Sequence, residues 1–77
     1  MIGRIKKMTS RGFGFIETDE EIDFFFHYKD YKGDWKELLS KYVTAHILTV
    51  SFEVDAESQK GPKAQEIRLI SALMPPV

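Results

Sequence analysis

Five of the chain's six phenylalanines stand between positions 13 and 26, in two short runs that also hold a histidine, a tyrosine and an arginine. The first run is Arg11-Gly12-Phe13-Gly14-Phe15-Ile16 and the second is Asp23-Phe24-Phe25-Phe26-His27-Tyr28. In an extended strand, Phe13 and Phe15 share one face while Gly12, Gly14 and Ile16 take the other. If Ile16 points into a core, both rings point to water. The same alternation in the second run sends Ile22, Phe24 and Phe26 inward and Phe25 and His27 outward. Paired as a hairpin, the two runs merge their exposed rings into one patch of Phe13, Phe15, Phe25 and His27. Neighbouring exposed rings are costly to leave without purpose. Flat apolar rings beside cations are what unpaired bases and their phosphates require, since every base has a face to stack on and the backbone needs only a loose positive track. Three readings of the patch stand at this point: single-stranded nucleic acid, a protein partner, or core if the strand parity is shifted by one residue.

No other residues form a competing chemistry. His27 and His46 have no metal-spaced partners, and the chain has no cysteine for a thiolate site or a disulfide. Asp19-Glu20-Glu21 reads as a solvated hairpin tip, and no serine or histidine arrangement suggests a nucleophile. The expectation is therefore a protein that is not an enzyme and takes no cofactor, metal or small-molecule substrate. The formal net charge of -1 does not advertise a polyanion partner, but its distribution does. Residues 1 to 16 contain Arg4, Lys6, Lys7 and Arg11 and no acid, leaving seven basic and twelve acidic groups for the rest. A polyanion should dock on the N-terminal strands, unless those cations serve only to keep edge strands solvated.

These residues need a scaffold, and 77 residues allow one small domain over 1–77. Strand-like patterning falls at roughly 2–8, 12–17, 22–28, 46–54 and 64–70. The fourth stretch is plainest, with Leu48, Val50, Phe52 and Val54 alternating against Thr49, Ser51 and Glu53; in the last, Gln65, Ile67 and Leu69 alternate against Glu66 and Arg68. One helix is expected at about 35–42. Asp34 would cap it with Glu37 placed as in a capping box, and Trp35, Leu38, Leu39 and Tyr42 share a face. Residues 55–62 read as a surface loop and Met74-Pro75-Pro76-Val77 as a frayed tail. With no run apolar enough for a signal or membrane helix, the expected location is cytoplasmic, without a membrane partner.

Arg-Gly-Phe-Gly-Phe fits the opening of the first ribonucleoprotein motif of RNA-recognition domains, but Thr18 stands where that motif wants an aromatic, and the chain lacks the two full helices. The sequence instead resembles the cold-shock domain family, whose strands run Gly-x-Val-Lys-Trp-Phe, Lys-Gly-Tyr/Phe-Gly-Phe-Ile and Asp-Val-Phe-Val-His-Phe and end in Gly-Pro-x-Ala. The matching residues are Gly3-Arg4-Ile5-Lys6-Lys7-Met8, Arg11-Gly12-Phe13-Gly14-Phe15-Ile16, Asp23-Phe24-Phe25-Phe26-His27-Tyr28 and Gly61-Pro62-Lys63-Ala64. The resemblance implies an all-β fold, a five-stranded antiparallel barrel of the oligonucleotide-binding (OB) type, here with a short helix inserted between strands three and four. It implies Phe13, Phe15, Phe25, His27 and Tyr28 as base-stacking positions, Lys6 and Arg11 near phosphates or base edges, and Lys63 as a binding position in the last loop. Strict alternation would turn Tyr28 inward; the family places it outward.

Three departures from the family pattern bear on the site. The first-strand tryptophan and phenylalanine are Lys7 and Met8, so one stacking platform becomes a cation and a thioether, and a larger share of binding should depend on salt. The loop after Met8 is one residue shorter than usual. About six residues are inserted within Leu39 to Leu48, next to Trp35, which matches a family binding aromatic but could equally be buried with Leu38 and Leu39. The expected function is binding of single-stranded RNA or DNA, as an RNA chaperone or a regulator of transcription or translation, by a monomer with a dimer left open. The alternative is an interaction module of the same fold that uses the inserted helix and the apolar tail.

Overall fold

A computed structural model describes residues 1–45, 47–55 and 61–73. Five strands form one antiparallel sheet: β1 (Ile2–Met8), β2 (Phe13–Glu17), β3 (Asp23–His27), β4 (Ile47–Val54) and β5 (Ala64–Leu73), in the spatial order β3-β2-β1-β4-β5. A single 3-10 turn (Tyr28–Asp30) and a helix α1 (Trp35–Thr44) lie between β3 and β4. The barrel expected from the resemblance is present only in part. The edges β3 and β5 approach each other, but they meet at isolated bridges, Phe25 with Lys63 and Tyr31 with Ile67, and not along a ladder. Phe25 N–H donates to Pro62 O at 3.0 Å and Lys32 N–H to Ile67 O at 2.8 Å, so the sheet curls on itself without being closed by continuous hydrogen bonding.

Irregularities in pairing bend the sheet. Ile5 pairs with Ile16 and Lys7 with Phe15, so Lys6 is an extra residue in β1. Such a bulge sets two residues of one strand against one of the other and resets its alternation. Gly3 and Met8 consequently face inward although five positions apart, while Lys6 and Lys7 are both exposed. A second bulge falls in β5, where Ser51 pairs with Arg68 but Glu53 pairs with Gln65. Glu66 is the bulged residue and takes φ 51°, in the left-handed region that residues other than glycine seldom adopt. That bulge explains how Ala64 and Ile67 are both fully buried. Beyond the irregularity the alternation of β4 also fails, and Val54, expected inside, is exposed.

The core gathers Ile16, Phe24, Phe26, Leu48, Val50, Phe52 and Ile67 beneath the sheet, with Leu38 of α1 at 1 % exposure closing one end. Burial of one face of α1 accounts for most of its stability, because isolated ten-residue helices are marginal in water. Asp34 caps it as expected, its carboxylate accepting from Lys36 N–H at 3.0 Å. Glu37 does not complete a capping box; it pairs with Lys41 one turn on, at 3.4 Å. The helix runs two residues further than its apolar spacing suggested, so part of the inserted stretch is its last turn. β5 likewise continues three residues past 70. His46, most of the 55–62 loop and the tail lie outside the described residues.

Candidate nucleic-acid interface

The turn from β1 to β2 is tight. Thr9 N–H donates to Phe13 O at 2.9 Å and Gly12 N–H to Thr9 O at 3.3 Å. Gly12 takes φ 97°, a region that disfavours any side chain. A Cβ there would also lie 2.7 Å from the Tyr28 ring, so the ring rests directly on the glycine. Gly14 meets a different demand. A Cβ at that position would fall 2.3 Å from Lys7 O and 2.8 Å from the Phe26 ring. Its absence lets Phe26 fill the core beneath β2 while Phe13 and Phe15 occupy the opposite face.

β2 and β3 pair in the register that merges the rings. Phe13 lies opposite His27, Phe15 opposite Phe25 and Glu17 opposite Asp23. Phe24 and Phe26 are buried, whereas Phe25 between them is 37 % exposed. Phe25 is the hub of the outer cluster. Its ring stacks on Phe13 at 6.0 Å and meets Phe15 edge-on at 5.8 Å. Because residues opposite each other in neighbouring strands share a face, Lys7, Phe15 and Phe25 form one row across β1, β2 and β3. Lys63 adjoins the far end of that row through its bridge with Phe25. Two rings are thus flanked by a cation at either side.

The next row is Phe13 and His27, and the chain turns immediately after it. His27 N–H donates to Asp30 Oδ2 at 3.0 Å, and its Nδ1 accepts from Lys29 N–H at 3.4 Å. A neutral imidazole that accepts at Nδ1 carries its proton on Nε2, which leaves Nε2 as a donor. Ending β3 at His27 also settles the direction of Tyr28. Inside the 3-10 turn it no longer follows strand alternation, and it stands 46 % exposed with its ring 4.3 Å from that of His27. Lys29 Nζ lies 6.0 Å from the Tyr28 ring centre. Lys29 was not singled out from the sequence, although its place beside Tyr28 was the available signal.

One expected site residue, Trp35, and two neighbours of the site, Met8 and Ile22, are placed differently. Trp35 is not brought to the ring patch: it packs 5.7 Å from Phe26, a core ring, and its Nε1 is buried without a hydrogen-bond partner. Met8 is 6 % exposed and belongs to the core, so only Lys7 takes an outward place. Ile22 precedes β3 in the hairpin tip, where its carbonyl accepts from Thr18 N–H at 3.2 Å, and it is exposed.

Half of the basic excess of the first 16 residues, Arg4 and Lys6, is answered by acids of β2, β3 and the turn between them. Arg4 pairs with Asp19 at 3.0 Å and Glu17 at 3.9 Å. Lys6 donates to Asp23 at 2.9 Å, and Lys63 lies 3.7 Å from Asp30. The hydrogen bond and charge of Asp23 hold the Lys6 ammonium above its ordinary pKa, so it stays charged throughout the neutral range. A raised folded-state value means that this pair supports the fold below the ordinary lysine pKa and stops doing so as pH rises through the folded one. Lys7 and Arg11 are exposed, and among the described residues neither has an ion-pair partner. Free positive charge therefore sits at the β1–β2 turn and beside Phe15, while the β2–β3 tip is acidic.

Among the described residues no cluster of histidine, aspartate and glutamate could hold a metal ion, and no helix is long and apolar enough to cross a membrane. A search of curated proteins returned no match. The family model described as the 'cold-shock' DNA-binding domain matches residues 1–70, which takes in the whole of β1 to β4, the ring-bearing hairpin and most of β5. With nearly the full chain matched, the protein belongs to the cold-shock DNA-binding domain family, a family of nucleic-acid-binding domains.

Proposed function

We propose that the protein binds single-stranded RNA or DNA on the outer face of β1 to β3, stacking bases on Phe13, Phe15, Phe25 and Tyr28. The observation that carries this reading is the cluster of Phe13, Phe15 and Phe25, rings in mutual contact at the protein surface with Lys7 in the same cross-strand row. Packed side by side, the rings lose little further freedom when a base covers them, and each stacked base contributes about 1–3 kcal/mol. Lys7 and Arg11, with Lys6 and Lys63 when released, neutralise phosphates. His27 Nε2–H donates to a base edge or a phosphate oxygen. Trp35 has no part in stacking.

Such a face stacks only on bases freed from a partner, so affinity for oligo-dT should exceed that for a duplex of equal length. A titration of both, followed by fluorescence anisotropy of a labelled strand, is the test. Equal affinities would sink the stacking mechanism. Binding of unpaired strands draws the folding equilibrium of RNA toward open forms by mass action, without ATP. That makes the protein an RNA chaperone, or a regulator acting through RNA or DNA structure. Nothing in this role needs a bond made or broken.

Salt should weaken binding moderately. For single strands log affinity falls by roughly 0.7 per phosphate contact for each unit of log salt, so two to three contacts give a slope of about -1.4 to -2. A flat response in the same titrations would assign the N-terminal cations to solubility alone.

A further inference from the structure

Two lysines beside the rings are already occupied. The bulge in β1 turns Lys6 outward, and its ammonium reaches across β2 to Asp23 Oδ2 at 2.9 Å. Asp23 precedes Phe25 by two residues in β3 and so shares its face. At the other side of Phe25, Lys63 lies 3.7 Å from Asp30 Oδ2. The Asp30 carboxylate is only 16 % exposed and also accepts the His27 N–H, which fixes it in place. Both acids thus belong to the ring-bearing segment itself. Lys7 and Arg11, in contrast, are left uncommitted.

We propose that Asp23 and Asp30 act as internal competitors of the phosphate backbone, holding Lys6 and Lys63 so that a bound strand must displace a carboxylate to gain each of these contacts. The inference rests on the stacking reading above and adds to it how tightly, and for how long, the face holds a strand. A phosphate that takes Lys6 gains one ion pair and breaks another. It also leaves the freed Asp23 carboxylate beside the bound polyanion. The net gain from each lysine is therefore small, and dissociation is fast, because the carboxylate is at hand to reclaim the ammonium. Fast release suits a protein that must open RNA structures and leave them.

The test compares oligo-dT binding by the wild-type protein and by Asp23→Asn, with Glu20→Gln as the control for net charge; Glu20 is an exposed acid of the hairpin tip without an ion pair among the described residues. Asp23→Asn should tighten binding about two- to fivefold beyond the control, the range set by an exposed ion pair. Its dissociation, followed by stopped flow, should slow by a similar factor. The log–log salt slope should steepen by about 0.7, one added phosphate contact. Lys6→Ala should cost little in the wild type and should remove the whole gain in the Asp23→Asn background. Asp30→Asn, whose amide oxygen still accepts the His27 N–H, gives an independent reading at Lys63, and thermal melts confirm that each variant is folded.

Equal effects of Asp23→Asn and Glu20→Gln would overturn the competition, as would a gain that survives Lys6→Ala, or weaker binding, which would mean that Asp23 itself holds the strand. Phe25→Ala separates the two levels. If it weakens wild-type binding while Asp23→Asn brings no gain, the competition is wrong and the stacking reading stands. If Phe25→Ala changes nothing in either background, stacking fails and the competition fails with it.

Discussion

Phe26→Ala should unfold a large part of the population at growth temperature. The Phe26 ring has no exposed surface, lies against Trp35 of α1, and fills the space that Gly14 leaves open beneath β2. Removing it takes away a core ring and leaves a cavity between α1 and β2, at a cost of about 3–5 kcal/mol. A chain of this length has in total only about 4–12 kcal/mol of stability. Phe24→Ala should behave in the same way, since Phe24 is buried against Phe52 at 5.1 Å between ring centres. Thermal melts monitored by circular dichroism measure both. A melting temperature within a few degrees of wild type for either variant would mean that these rings are not the ones inside.

Phe25→Ala should give the opposite pattern, a folded protein that binds poorly. More than a third of Phe25 already faces water, so truncation leaves no internal cavity. It does remove the ring that both Phe13 and Phe15 lean on. Loss of one stacking platform should weaken binding to oligo-dT by about 1–3 kcal/mol, and the loosening of two neighbouring rings pushes the effect toward the upper end. If Phe25→Ala unfolds the protein while Phe24→Ala merely weakens binding, the strand is shifted by one residue, and Phe25 and His27 leave the binding face together.

The contrast among three consecutive phenylalanines was legible because a strand's period of two depends on nothing beyond local geometry, and Ile16 and the two glycines fixed which side was inside. The Asp34 cap was legible for the same local reason, whereas Gly12, read as the first inward residue of the strand, stands in the turn before it at φ 97°. What escaped depends on pairing between distant segments. The extra residue at Lys6 exists only relative to β2, and it decides that Lys7 faces out while Met8 goes in. The bulge at Glu66 exists only relative to β4, and with it the exposure of Val54. Tyr28 could be placed outward from family resemblance; its physical cause is the 3-10 turn, closed where the Asp30 carboxylate accepts the His27 N–H and the His27 Nδ1 accepts the Lys29 N–H.

Electrostatics were the least legible. A count by segment gave the first 16 residues four unopposed cations, yet pairing brings Glu17, Asp19 and Asp23 against Arg4 and Lys6. Sequence distance hid these partners, since Lys6 and Asp23 are 17 residues apart. Trp35 was ambiguous in the sequence because its helical spacing with Leu38 and its match to a binding aromatic pointed in different directions. Packing against Phe26 favours the first. Trp35 fluorescence would consequently report on the core and α1 more than on the rings.

The central claim is that bases stack on the outer face of β2 and β3, and the most direct measurement is a titration followed by NMR on protein labelled at its aromatic side chains and backbone amides. With oligo-dT, the ring resonances of Phe13, Phe15, Phe25, His27 and Tyr28 should shift together in proportion to saturation, while those of Phe24, Phe26 and Phe52 move little. An equal amount of matched duplex should leave both sets nearly unchanged. Shifts concentrated in α1 or at the exposed Ile70 and Leu73 of β5, with the outer rings unmoved, would contradict the account and place the binding surface on the other side of the molecule.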